Sequence, residues 1–178
     1  MINVFFIADL HFGHKNIIGF SRPQFMDLDD MHDTIISNWN TVVKPKDIVY
    51  VLGDVAFGKD NLKYMQYLNG RKHLVMGNHD VYNIKEYTPY FDHIWGANDY
   101  KGCILTHIPI IESQFYRWKL NIHGHVHVKN YEKIKIDGHV VQDGDIALSN
   151  NTKYFNVCAE HIDMTPIRWD EIKERTNI

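Results

Sequence analysis

Residues 1–11 read MINVFFIADLH, and the way this stretch ends indicates how the rest of the chain is built. The run from Ile2 to Ala8 is rich in Val, Ile and Phe and is cut short by Asp9. It is too short to cross a membrane, and without a basic leader it is poorly built as a signal peptide. It therefore reads as a strand buried on both faces of a sheet. Three further runs share its character: residues 48–52 (IVYVL), 73–76 (HLVM) and 103–106 (CILT).

Helical patterns separate these strands. Over residues 27–43, Leu28, Met31, Ile35, Trp39 and Val42 recur at steps of three and four, so they share one helical face. Asp27 can cap the start and Pro45 prevents much continuation. Residues 60–69 form a second candidate, with Asp60 leading, Leu62, Met65 and Leu68 turned inward, and Gly70 just past the end. Residues 111–119 (IIESQFYRW) are a third. Beyond residue 128 the pattern becomes antiparallel. Tyr131–Ile136, an Asp137-Gly138 turn and Val140-Val141 suggest a hairpin, followed by polar residues 142–153 and a strand at 154–158 (YFNVC). Strand–helix alternation giving way to antiparallel strands predicts an α/β fold with a mixed sheet and helices outside. There is no repeat, low-complexity tract or Pro/Gly-rich linker, so residues 1–178 read as a single domain.

A net charge of −3 argues against a protein that holds nucleic acid by a broad basic face. Cys103 and Cys158 lie in apolar runs and read as buried thiols of a reducing compartment, and the chain is expected to be cytoplasmic with no membrane association. Histidine is the compositional oddity, with twelve residues against nineteen Lys plus Arg. A metal site has a use for so many imidazoles; a structural protein does not.

These side chains fall where strands end. Asp9-Leu10-His11 follows the first run and Gly53-Asp54 the second. Gly77-Asn78-His79-Asp80 follows the third, Thr106-His107 ends the fourth, and Gly124-His125-Val126-His127 follows Leu120–Ile122. In open α/β sheets the carboxyl ends of strands gather around one crevice, and glycines at 53, 77 and 124 let the chain turn tightly there. In an extended D-x-H or H-x-H, residues i and i+2 point the same way. Carboxylate, imidazole and amide ligands without thiolate suit Mn, Fe, Zn or Ni. Seven ligands (Asp9, His11, Asp54, Asn78, His107, His125 and His127) are too many for one ion but suit two that share a bridging carboxylate. Such a pair clamps a phosphate and activates a bridging water or hydroxide.

The ordered set D-x-H, G-D, G-N-H-D, H and G-H-x-H, spanning Asp9 to His127, resembles the calcineurin-like metallophosphoesterase superfamily. The resemblance implies a four-layer α/β/β/α sandwich with mixed sheets. It implies that Asp9, His11 and His127 hold one metal, that Asn78, His107 and His125 hold the other, and that Asp54 bridges them. By the same resemblance His79 is the catalytic residue, an unligated histidine that contacts the phosphate and protonates the leaving oxygen, a role suited to imidazole near neutral pH. Protein phosphatases of the superfamily follow the G-D block with an Asp and an Arg, whereas here Asp54 is followed by Val55-Ala56-Phe57-Gly58. A protein phosphatase is thereby disfavoured, and the partner of His79 and the phosphate clamp stay unassigned.

His14 and Arg22 are candidate substrate-binding residues, Arg22 because its fork can grip a phosphate; the competing reading for both is a solvated loop. His123 should point away from the cluster because neighbours alternate along a strand. His32, His73, His93, His139 and His161 read as surface or packing residues, and Asp80 either orients a neighbour or caps the next segment. The expected activity is hydrolysis of a small phosphodiester or nucleotide on two divalent ions, Mn foremost. The alternatives are a phosphomonoesterase, a nuclease on DNA or RNA, and a non-catalytic protein-binding scaffold. Residues 129–152 are read as a wall of the pocket or a lid.

Overall fold

Strand β1 (Val4–Ile7) anchors the first of two sheets. The computed structural model describes residues 2–127, 134–136, 139–141 and 153–178. On one side of β1 lie β2 (Ile48–Val51), β3 (Arg71–Val75) and β4 (His93–Trp95), all parallel, with Phe5 opposite Val49 and Tyr50 opposite His73. The short β11 (Ile167–Arg168) pairs antiparallel on its other side. Phe6, Ile7, Val49, Val51, Leu74 and Val75 are fully enclosed, as runs with no polar alternation require.

The second sheet contains β5 (Asn98–Tyr100), β6 (Cys103–Leu105), β7 (Leu120–His123) and β10 (Tyr154–Asn156), in the order β10-β7-β6-β5. Only the β5–β6 pair is antiparallel. Between the sheets, Phe6 stacks on Tyr50 at 5.4 Å and meets Tyr100 edge-on at 5.5 Å. The sheets are also stitched at one end: Ala8 N donates to Val157 O (2.8 Å) and Ala159 N to Ala8 O (3.1 Å). The exit of β1 and the exit of β10 are thus tied at one point. The expected α/β fold with two mixed sheets and helices is borne out.

Helices α1 (Lys15–Ser21), α2 (Leu28–Val42), α3 (Ile84–Tyr87) and α4 (Trp169–Thr176) complete the frame. In α2 the Asp27 carboxylate accepts from Asp30 N at 3.0 Å, and Met31, Ile35 and Trp39 are buried as their spacing predicts. The segment expected as a helix over 60–69 is a 3₁₀ helix, Lys59–Tyr67, with Leu62 and Met65 inward. The helix expected over 111–119 reduces to a 3₁₀ turn, Glu112–Gln114. Phe115 packs edge-on to Tyr154 at 5.0 Å, but Ile111 is 69% and Tyr116 78% exposed, so no continuous apolar face is covered, and an isolated stretch of this length does not sustain a helix unaided. Hydrogen bonds pin its start to the second sheet instead, Ile110 N to Asn121 Oδ1 (2.9 Å) and Tyr154 Oη to Ile110 O (2.7 Å).

Of the expected hairpin, β8 (Ile134–Ile136) and β9 (His139–Val141) pair antiparallel with Ile136 opposite His139. Residues 128–133, the Asp137-Gly138 turn and residues 142–152 lie outside the described residues, and most of the wall or lid expected at 129–152 falls on them. Among the described residues no helix is long and apolar enough to cross a membrane.

Candidate metal centre

Each expected ligand leaves the carboxyl end of a strand: Asp9 and His11 beyond β1, Asp54 beyond β2, Asn78 beyond β3, His107 beyond β6, and His125 and His127 beyond β7. The backbone there is strained. Asp9 (φ 60°), His11 (φ 52°), Asp54 (φ 54°) and His125 (φ 69°) make up four of the eight non-glycine residues with left-handed backbone among those described. Each such residue costs on the order of 1 kcal/mol, and surrounding structure must hold it there. The hold is visible. Asp9 N donates to Gly53 O (2.9 Å) and His11 N to Asp54 O (3.0 Å). The buried Asp80 carboxylate accepts from the backbone N–H of Asp54 (2.8 Å), Val55 (3.0 Å) and Gly77 (2.8 Å). Asp80 therefore orients neighbours rather than capping the next segment.

The glycines serve closeness more than turning. Gly53 does have φ 88°. A Cβ at Gly77, however, would stand 2.6 Å from Asp54 N, and one at Gly124 would stand 2.5 Å from the Ala8 Cβ.

The side chains converge with their lone pairs facing. His107 Nδ1–H donates to Leu52 O (2.8 Å), which turns its Nε2 lone pair toward Asn78 Oδ1 (2.9 Å) and Asp54 Oδ2 (3.4 Å). His127 Nδ1–H donates to Glu160 Oε1 (3.0 Å), so its Nε2 faces Asp9 Oδ1 (3.4 Å) and His11 Nε2 (3.2 Å). Asp9 Oδ1 is buried without a hydrogen-bond partner among the described residues. Acceptors this close to one another repel unless a proton or a metal ion lies between them. Asp9, His11 and Asp54 form a cluster able to hold an ion, and the donor set fits divalent metals. Asp54 Oδ2 is 3.8 Å from His11 Nε2 and 3.4 Å from His107 Nε2, between the two groups. His125 contributes its N–H to Asp9 Oδ2 (2.9 Å), and its ring lies 5.1 Å from that of His107.

Charge tells the same story. Burial acts to raise the Asp9 and Asp54 carboxyls, yet the imidazoles around them pull both below the usual carboxylate range. Burial acts to lower His107, but Asp54 and Asp9 outweigh it and lift the ring to about 9. The pocket attracts positive charge.

His79 stands at the rim. Its N–H donates to Asp54 Oδ1 (2.9 Å), its ring is 46% exposed, and Nε2 lies 4.0 Å from Asp54 Oδ2. Phe57 packs 4.9 Å from the His79 ring and stacks on His14 at 3.9 Å. His14 is thus half-buried beside the site, and burial with the neighbouring imidazoles brings it down to about 4.

Arg22 is neither a phosphate fork nor a solvated residue. It is fully buried behind the site, where its guanidinium donates to Glu160 Oε1 (2.8 Å), Leu10 O (3.0 Å) and Asp9 O. Glu160 is absent from the ligand pattern of the sequence. The signal that could have found it is the rule that found the others, since Glu160 follows the apolar Val157-Cys158-Ala159 run as Asp9 follows Ala8. Cys158, a buried free thiol, donates to Asp9 Oδ2 (3.0 Å). His123, at the end of β7, is fully buried, with its Nδ1 donating to Gly124 O (2.9 Å). His73 packs edge-on to Tyr50 at 5.1 Å and His93 at 4.8 Å, while His32 accepts from Gly13 N (2.9 Å).

Two mixed sheets with carboxylates and imidazoles gathered at their strand ends define an α/β protein with a candidate centre for divalent metal. The calcineurin-like phosphoesterase family model matches residues 2–176, and the chain belongs to that family, whose members are metal-dependent hydrolases of phosphoester bonds. The chain is 32% identical over 178 residues to the uncharacterized protein MJ1445 of Methanocaldococcus jannaschii, covering 97% of this chain and 90% of that one. It is 28% identical to the Gene 66 protein of Mycobacterium phage L5, covering 71% and 78%. Among solved structures, the protein of unknown function AQ665 from Aquifex aeolicus aligns with a TM-score of 0.70 and 29% identity, covering 98% of this chain and all of that one.

Proposed function

We propose that this single-domain enzyme hydrolyses a small phosphodiester or nucleotide using a pair of divalent transition-metal ions, manganese foremost and iron, zinc or nickel as alternatives. The observation that carries the reading is the place of Asp54 Oδ2, within 3.8 Å of His11 Nε2 and 3.4 Å of His107 Nε2. Asp9, His11 and His127 would hold one ion, Asn78, His107 and His125 the other, and Asp54 both. When bound, the ions would supply Lewis acidity toward the phosphoryl oxygens and an activated water.

The remaining work falls to the chain itself. His79 protonates the leaving oxygen, and its half-exposed ring at the rim suits that task. Asp54 fixes the loop on which His79 sits, through the hydrogen bond to its N–H. Phe57, in the block where protein phosphatases carry an acid and an arginine, forms a ring wall beside His79 together with His14. That wall suits a small ester with an apolar or planar leaving group better than a phosphoprotein. His14 is uncharged at neutral pH and serves as a hydrogen-bonding partner rather than a charged clamp. A net charge of −3 disfavours polynucleotides. The buried free thiols Cys103 and Cys158 suit a reducing, cytoplasmic setting.

The test is turnover of a generic phosphodiester and a generic phosphomonoester with added Mn, for the wild type and His79→Ala. The diester should be preferred, and His79→Ala should lose about 100-fold or more in kcat. Full activity of His79→Ala would remove its assignment as the acid. Absence of turnover in the wild type across a broad ester panel would leave a protein-binding scaffold.

A further inference from the structure

We propose that Glu160, backed by Arg22, is a positioning residue that makes the Asp9–His11–His127 position the tighter of the two metal positions. This rests on the two-metal reading above.

One carboxylate oxygen joins the elements. Glu160 Oε1, almost fully buried, accepts from His127 Nδ1 (3.0 Å) and from Arg22 Nε (2.8 Å). The first bond fixes which nitrogen of His127 carries the proton and aims the other into the site. The second draws in a guanidinium that also holds the Leu10 and Asp9 carbonyls, on the loop that carries Asp9 and His11. A single buried ion pair therefore sets the backbone of two candidate ligands and the ring of the third. The neighbouring Cys158 thiol and His125 N–H both occupy Asp9 Oδ2, which leaves Oδ1 as the oxygen offered to a metal.

Among the described residues the other position has no such support. His107 is backed by the neutral carbonyl of Leu52, and Asn78 brings a neutral amide. Among the described residues no hydrogen bond reaches the His125 ring. An anionic partner raises the basicity of a ligating imidazole more than a carbonyl does, and losing such a partner costs about 10–100-fold in metal affinity. The two positions should accordingly fill in order.

The test is titration of the metal-stripped full chain with Mn(II), followed by calorimetry and by the electron paramagnetic signal of free Mn(II). The wild type should take up two ions in two steps, the first at least about ten-fold tighter. Glu160→Gln should weaken the first step about 10–100-fold and leave the second unchanged. Because Gln leaves Arg22 buried without a counter-charge, the double variant Arg22→Met/Glu160→Gln, which removes both charges, should repeat the selective loss. Glu160→Asp should restore part of it. Equal affinities in the wild type, unchanged constants in the variants, or equal weakening of both steps with a lower metal-free Tm would each overturn the proposal. If the wild type takes up both ions yet turns over no ester, the proposed reaction falls while this assignment stands. If the wild type binds no ion, both fall.

Discussion

At the scale of single residues, Asp80 does more for the site than several of the residues that face it. Its carboxylate closes three backbone donors, at Asp54, Val55 and Gly77, on two loops that carry candidate ligands. A buried N–H left unpaired costs about 1–3 kcal/mol. Asp80→Ala, which orphans three, should lower the unfolding free energy by roughly 3 kcal/mol or more, measured by urea denaturation of the metal-free protein. A loss under about 1 kcal/mol would mean that water replaces the carboxylate and the loops need no such tie. The residues facing the pocket were readable from the sequence because strand ends and i, i+2 spacing determine where side chains go. The pairing of Arg22 with Glu160 was not readable, since the two are 138 positions apart and each takes its role only from the other.

At the scale of elements, α2 shows which force holds the frame. Asp27 caps it through one hydrogen bond, accepted from Asp30 N and worth about 1 kcal/mol. Its packing includes Trp39, fully buried, with Nε1 donating to Asn69 O at 2.9 Å. Removing such a ring costs about 3–5 kcal/mol. Asp27→Ala should therefore lower stability by about 1 kcal/mol, with Asp27→Ser recovering most of it. Trp39→Ala should cost several times more in the same denaturation series, and a reversed ranking would make the cap the dominant element. The ranking also explains which elements the sequence displayed. The 3-4 spacing of Met31, Ile35 and Trp39 announces a buried face, and that face is what makes α2 a helix. Helix α1 escaped notice because it has only seven residues, no side-chain cap and Gly19 within it. Helix α4 buries only Trp169 and Ile172, too few to show a period. Strands β4, β5 and β11 are two or three residues long, and neighbouring strands decide their pairing more than their own residues do.

At the scale of the whole molecule, the two sheets converge on a pocket whose charge is balanced by protons until a metal arrives, which ties stability to pH. His107 is lifted from 6.5 to about 9, and His127 is raised as well, Glu160 outweighing burial. Both therefore contribute stability that is fully present below pH 6.5 and lost as pH rises toward 9, roughly 3 kcal/mol for a shift the size of His107's. The buried His123, depressed to about 4, acts with the opposite sign. Its contribution is present above 6.5 and lost as pH falls toward 4. Asp9 and Asp54, lowered from 3.8, and Glu160, lowered from 4.5 to about 2, hold theirs through this range and lose it only in stronger acid. The metal-free protein should thus be most stable near pH 6.5 and weaken on either side. Metal binding grows easier as ligands lose protons, so a divalent ion should abolish the alkaline decline and leave the acid one. Thermal melts at pH 6.5 and 8.5, with and without excess Mn(II), read this directly. The gain in Tm from the metal should be clearly larger at pH 8.5, and a metal-free Tm that stays flat between the two values would show that the pocket holds no proton in place of the metal.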